Sequence, residues 1–278
     1  MIHPLRWIIQ RPGLLIPVFF LCLVQARGQY DGKECTVISL GNTFLTRKGY
    51  CMARHNQAGL GCFSGRSLSL QHSRPGLCRD IGISSVSLQI STLHGGLGGT
   101  VTHYGISGLG YSSAWIAYGI EMYPGWSAGL GIHLWTTSIR EKWFCHPGFS
   151  FAVGFQAQFS EKLSLAAHVA HPAGWVSSGP QTRATPMTIA FGGSWMPIPL
   201  ATWYWELEFS AGYPVRWKLG LEWMDILGTR LQVGLHSQPF TVTGGIMVRS
   251  HRWNIQIAYA FRYDSGSTPS TALTYEWE

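Results

Sequence analysis

The sequence predicts an all-β protein, a single transmembrane antiparallel β-barrel of about fourteen strands following a cleaved signal peptide. Three observations carry this prediction. Bulky apolar residues recur at every second position through most of residues 66–278, the period of a strand whose successive side chains point to opposite faces. The positions between them hold Gly, Ala, Ser and Gln. Charged residues are only 12% of the chain, about half the usual share of a globular protein. A soluble sandwich hides its bulky face and covers the other with charge; here the second face is too small and too neutral for that. A closed barrel inverts the arrangement. Large apolar residues meet lipid, small polar ones line a narrow interior, and closure leaves no strand edge unpaired in hydrocarbon.

Residues 1–28 read as an export signal: three arginines and no acid, an apolar run from Leu14 to Val24, then Ala26 and Gly28 near the cut. The run is too short to span a bilayer of roughly 30 Å, and the Leu21 that precedes Cys22 argues against a lipoprotein. Without this segment, 17 basic residues face 13 acidic ones, a net of +4 against +7 for the whole chain. No Lys/Arg cluster appears, so a nucleic-acid partner is not expected. Residues 29–65 lie outside the alternating region and read as a periplasmic or lumenal segment; the barrel occupies 66–278.

Fourteen strand-like segments follow: 66–73, 81–91, 96–104, 112–122, 126–137, 148–160, 162–171, 186–196, 202–212, 214–225, 229–237, 239–249, 252–263 and 271–278. Their lengths suit tilted membrane strands. The stretch SFAVGFQAQF shows the rule, with Phe151, Val153, Phe155 and Phe159 on one parity and Ser150, Gly154, Gln156 and Gln158 on the other. Short turns tend to follow even-numbered segments and longer connections odd-numbered ones, as in outer-membrane barrels. SAGYP and HSQP are exceptions. Tyr123, Trp126, Trp195, Trp203, Trp205 and Trp253 sit where an interfacial aromatic belt would place them.

Few residues suggest chemistry. If the hairpin of segments nine and ten is centred near Gly212, Glu208 faces Arg216 and Glu206 faces Lys218. All four share the interior parity, which makes a lumenal ladder of opposite charges, read mainly as neutralising a tight interior. His133, His168 and His236 also have interior parity but no metal-ligand spacing, and His94, His171 and His251 fall in turns or loops. No catalytic set can be placed: GCFSGRS does not match G-x-S-x-G, and GGLGG follows no strand–helix pattern. The chain is therefore expected to be non-enzymatic, with no cofactor and no metal. Export allows one or two disulfides among Cys35, Cys51, Cys62, Cys78 and Cys145, with the pairing open.

Residues 56–60 read Asn-Gln-Ala-Gly-Leu. In their position before the first strand they resemble the N-P-A-G-L element of FadL-type outer-membrane barrels, especially the branch that holds PorV and PorQ of type IX secretion. Asn56, Ala58, Gly59 and Leu60 match and are read as part of a lumenal plug, and Gln57 replaces the proline. The resemblance covers roughly residues 41–278 and implies fourteen strands in the outer membrane of a Gram-negative bacterium. It implies outer-membrane lipid, and other outer-membrane or periplasmic proteins, as partners. The chain is short for the family, which argues against long external loops and a large lumenal hatch. The function this suggests is an accessory or scaffold subunit of a larger outer-membrane assembly, PorV/PorQ-like. The alternative is a FadL-like channel for small or hydrophobic molecules, with Gly192 and Gly193, or Gly244 and Gly245, marking a strand kink that opens a lateral port.

Overall fold

The computed structural model describes residues 34–47, 49, 52–78, 80–106, 109–139, 148–172, 186–225 and 228–278. The expected signal segment lies outside them.

Fourteen strands form a closed, antiparallel barrel in which each pairs with its sequence neighbours and the first with the last. They are β1 (Arg66–Ser73), β2 (Gly82–Thr92), β3 (Gly95–Ile106), β4 (Leu109–Tyr123), β5 (Trp126–Ile139), β6 (Gly148–Gln158), β7 (Leu163–Ala170), β8 (Thr188–Ile198), β9 (Ala201–Ser210), β10 (Arg216–Met224), β11 (Arg230–His236), β12 (Thr241–Ser250), β13 (Trp253–Arg262) and β14 (Gly266–Trp277). Arg66 pairs with Trp277 where the barrel closes. Each predicted segment corresponds to a strand. The largest difference is β14, which begins at Gly266. Ser267–Ser270, which fall between the predicted segments, pair with β13, and Tyr259 faces Pro269 across the ladder.

The faces divide as the alternation predicts. On β5, Leu130, Ile132 and Leu134 are exposed outward, while Ser127 and His133 are buried inward. The same division holds on β13, where Ile255, Ile257, Tyr259 and Phe261 are outside and Asn254, Gln256 and Ala258 inside. The outer surface is thus a continuous apolar band. Tyr123, Trp126, Trp195, Trp203 and Trp253 ring the short-turn end, all exposed, and Trp253 packs on Tyr275 with ring centroids 4.7 Å apart. The ladder shifts register at two places, between Glu121 and Tyr123 in β4 and between Trp195 and Ile198 in β8. The second accommodates Pro197, which has no N–H for the ladder.

Fourteen strands enclose more space than wall side chains fill; eight already make an interior just wide enough for them. The remainder is taken up by the chain N-terminal to β1. A short helix α1 (Cys35–Ser39) and a 3₁₀ turn at Gln57–Leu60 belong to a segment whose described residues from Glu34 to Leu60 are nearly all buried. Because this segment joins β1 at Arg66, it enters from the short-turn end. The segment N-terminal to the barrel thus lies in the lumen as a compact plug.

Candidate functional site: the plugged lumen

The plug follows the inner wall from β12–β14 through β9–β10 to β3–β6, and each stretch docks by a different chemistry. At α1, the Cys35 N–H donates to Gln71 Oε1 at 2.9 Å, and Ser39 Oγ donates to Gln232 Oε1 at 2.5 Å. Gln256 Nε2 reaches both Gln232 Oε1 at 2.7 Å and Ser39 Oγ at 3.1 Å. The Gly41 N–H donates to Thr243 Oγ1 at 2.9 Å. These are neutral polar pairs that satisfy buried groups on both sides, as burial requires.

The charge ladder occupies the next part of the wall. Glu208 lies opposite Arg216 and Glu206 opposite Lys218, the register predicted from the turn. Arg216 Nη1 is 3.1 Å from Glu208 Oε1. Lys218 Nζ lies 2.7 Å from Glu208 Oε2 and 3.2 Å from Glu206 Oε2. Glu206 also reaches the plug: its Oε1 accepts from the Leu45 N–H at 2.7 Å and from the Phe44 N–H. The Lys218 ammonium sits 4.6 Å from the Phe44 ring centroid, a cation–π contact made stronger by desolvation. Deeper toward the turn end, Arg47 of the plug approaches Glu222 at 3.4 Å. Glu222 is held from the wall by Gln232 at 2.6 Å and Arg230 at 3.6 Å. Sequence reasoning found the first four charges. It missed Glu222 and Arg47, because β10 and a segment without periodicity carry no signal that they meet.

The family-like motif forms the third contact. Asn56 caps the 3₁₀ turn, its Oδ1 accepting from the Ala58 N–H at 3.2 Å, while its Nδ2 donates to the Leu45 carbonyl at 2.6 Å. Ala58 and Leu60 are fully buried. Gly59 lies against Met52. Gln57, where the motif has proline, makes bonds proline cannot: Nε2 donates to the Ala53 carbonyl at 3.1 Å, and Oε1 pairs with His168 Nε2 at 3.2 Å. The wall here is glycine because the plug backbone comes so close. A Cβ at Gly129 would fall on the Gln57 carbonyl, and one at Gly119 on the Gln57 carbonyl oxygen and the Gly61 nitrogen.

Two further expectations change. At Gly192–Gly193 and Gly244–Gly245 the pairing continues without a break on both sides, so no kink opens there. Gly192 and Gly245 instead lie inward, making room for Leu45 and Ser39 of the plug. His171 is not an ordinary loop residue. It is buried against Ser150, with Nδ1 and Oγ 2.8 Å apart, and its ring lies 5.6 Å from that of His133. His133 in turn stacks on Trp115 at 4.2 Å and 9° and meets Trp135 at 4.7 Å. These four rings form an aromatic layer toward the loop end of the lumen. Among the described residues no cluster suited to a metal ion is present. Cys62 and Cys78 are free thiols, and Cys35 is buried with its Sγ against the Gln256 and Ser270 carbonyls; Cys51 and Cys145 lie outside the described residues.

A closed fourteen-strand wall, apolar outside and plugged from its own N-terminal side, defines the class. No protein-family model and no curated protein matches the chain. Among solved structures it is similar to the Pseudomonas putida toluene transporter TodX, with a TM-score of 0.69 and 11% identity over 90% of this chain and 99% of that one. The Ralstonia pickettii toluene transporter TbuX gives 0.68 and 10% over 90% and 100%. A Pseudomonas aeruginosa FadL homologue gives 0.63 and 8% over 88% and 98%. These neighbours are FadL-type outer-membrane barrels, and at such identities the likeness is one of fold.

Proposed function

We propose that the chain is a non-enzymatic, FadL-like channel of a Gram-negative outer membrane that admits small hydrophobic molecules. One observation carries the reading. The lumen is closed by a separate segment, residues 34–60, docked through hydrogen bonds and ion pairs, so displacing that segment leaves a passage without opening the wall. The fold shared with toluene transporters supports the hydrophobic class of solute, as does the aromatic layer of Trp115, Trp135, His133 and His171. The test is uptake of labelled toluene by cells whose outer membrane lacks other hydrocarbon channels. Expression of this chain should raise uptake several-fold; uptake equal to the empty vector refutes the reading.

A second reading, a PorV/PorQ-like accessory of a larger outer-membrane assembly, is favoured by the filled lumen. It predicts a co-migrating partner after gentle detergent extraction and native mass measurement.

A further inference from the structure

The contacts that hold the plug are of unequal kind. α1 and Gly41 are held by neutral side chains, as is Gln57 by His168. At Phe44–Leu45 the wall presents a carboxylate. One oxygen of Glu206 accepts both successive plug N–H groups, and Lys218 covers the Phe44 ring. Hydrogen bonds to an ionised acceptor are roughly twice as strong as neutral ones. Glu206 and Lys218 are each only 2% exposed at the side chain, so no water competes for them.

The charges, however, are balanced within the wall. Glu206, Lys218, Glu208 and Arg216 pair across β9 and β10 in register, and Glu222 keeps Arg230 and Gln232 when Arg47 is set aside. Withdrawing Phe44 and Leu45 therefore strands no buried charge on the wall. It breaks two backbone hydrogen bonds, the contacts of the Phe44 ring with Lys218 and His168, and the packing of Phe44 and Leu45 on Ala166 and Ala190. A segment held by strong bonds to a wall whose charges stay paired without it can leave without exposing an unpaired ion.

We propose that Glu206 and Lys218 form a latch that holds the plug shut at Phe44–Leu45, and that opening of the lumen begins with release of this clamp. The proposal rests on the channel reading, yet its test needs no solute. Chymotrypsin cuts after phenylalanine only when the backbone leaves its fold, so cleavage after Phe44, with fragments identified by mass, reports plug release. The purified full chain in lipid is compared with Glu206→Leu, with Glu206→Leu/Lys218→Met, in which no lysine loses its partner, and with Arg249→Gln. Arg249 pairs with Glu276 at 2.8 Å away from the plug. The latch predicts cleavage after Phe44 at least tenfold faster in both Glu206 variants, and within twofold of the parent in Arg249→Gln. If Glu206→Leu does not fold, the double variant carries the test. Parental cleavage rates in Glu206 variants that still migrate as compact, heat-modifiable barrels overturn the proposal. Failure of toluene uptake by the parent, with cleavage accelerated in the variants, removes the channel reading and leaves the latch.

Discussion

Ile132 offers a direct test of which side of the barrel meets lipid. It points outward from β5 at 46% exposure, between Ile116 of β4 and Phe151 of β6. It lies six residues past Trp126, the first residue of the strand. At about 3.4 Å per residue and a tilt near 40°, that is roughly 15 Å along the barrel axis, the middle of an apolar band about 25 Å tall. Arginine at the midplane of a membrane barrel costs about 2–4 kcal/mol, and near the interface only about 0–1 kcal/mol. Ile132→Arg should thus lower the folding equilibrium roughly 30- to 700-fold. Met122→Arg, equally outward and exposed but beside the β4–β5 turn, should lower it less than about fivefold. The assay is reversible urea unfolding from lipid vesicles, followed by tryptophan fluorescence and by heat-modifiable migration. On a water-exposed surface both changes fall within about 0.5 kcal/mol. Equal, small effects at the two positions would refute the lipid-facing assignment.

Glu222→Leu removes the buried partner of Arg47 and should destabilise the folded state by about 3–5 kcal/mol, read as a shifted urea midpoint. Gly129→Val drives a side chain into the Gln57 backbone and should cost about 1–3 kcal/mol, whereas Gly99→Ala, whose added Cβ meets only the Trp115 carbonyl oxygen at 3.7 Å, should leave the midpoint in place. Trp115→Ala empties the stack on His133 and should cost about 3–5 kcal/mol by the same measurement. In native-state hydrogen exchange, the Phe44 and Leu45 amides should exchange faster than the ladder amides of β9 and β10, because the plug opens without unfolding the wall; equal protection would make plug and wall one cooperative unit.

What the sequence disclosed and what it hid divide along the period of two. A strand half in lipid writes its orientation at every residue, so β5, β6 and β13 were legible to within a few positions. The Glu206–Lys218 and Glu208–Arg216 pairs were legible too, because a tight turn at Gly212 sets the register of the hairpin. The plug has no such period. Its residues are buried on all sides by turns rather than by a repeating face, so apart from the motif at residues 56–60 no pattern between Glu34 and Leu60 shows how the segment fills the lumen. The indirect sign was on the wall. Gly129, Gly131 and Gly154 share the inward parity, and a glycine patch inside a barrel marks a close backbone approach. Gly192 and Gly245 carried the same message and were open to misreading as kinks. Gly266–Ser270 fell between the predicted segments, and Pro269 lies toward the outer end of β14, where ladder demands are weakest. His171 fell in the stretch between two strands, and only the fold brings it to His133.

The inverted polarity of the barrel explains why its plug is held by polar bonds. The large apolar side chains of the wall are committed to the outside, so the inner wall is left mainly with alanine, serine and glycine, and the apolar contacts of the plug fall into separate clusters: Val37, Phe44 and Leu45 with Ala166 and Ala190, Met52, Ala53 and Leu60 with Ala117, and Cys35 and Ile38 with Ala258. Wall stability comes from the closed ladder, which does not pass through residues 34–60. Beside these clusters docking uses hydrogen bonds and charges, whose net contribution is modest because water offers the same bonds to a plug that comes free. A greasy interface would have made release prohibitively costly, and an interface of neutral hydrogen bonds alone would have held less firmly. A carboxylate balanced by its own wall lysine lies between these limits: firm while the lumen is dry, and reversible once water or a solute reaches Phe44.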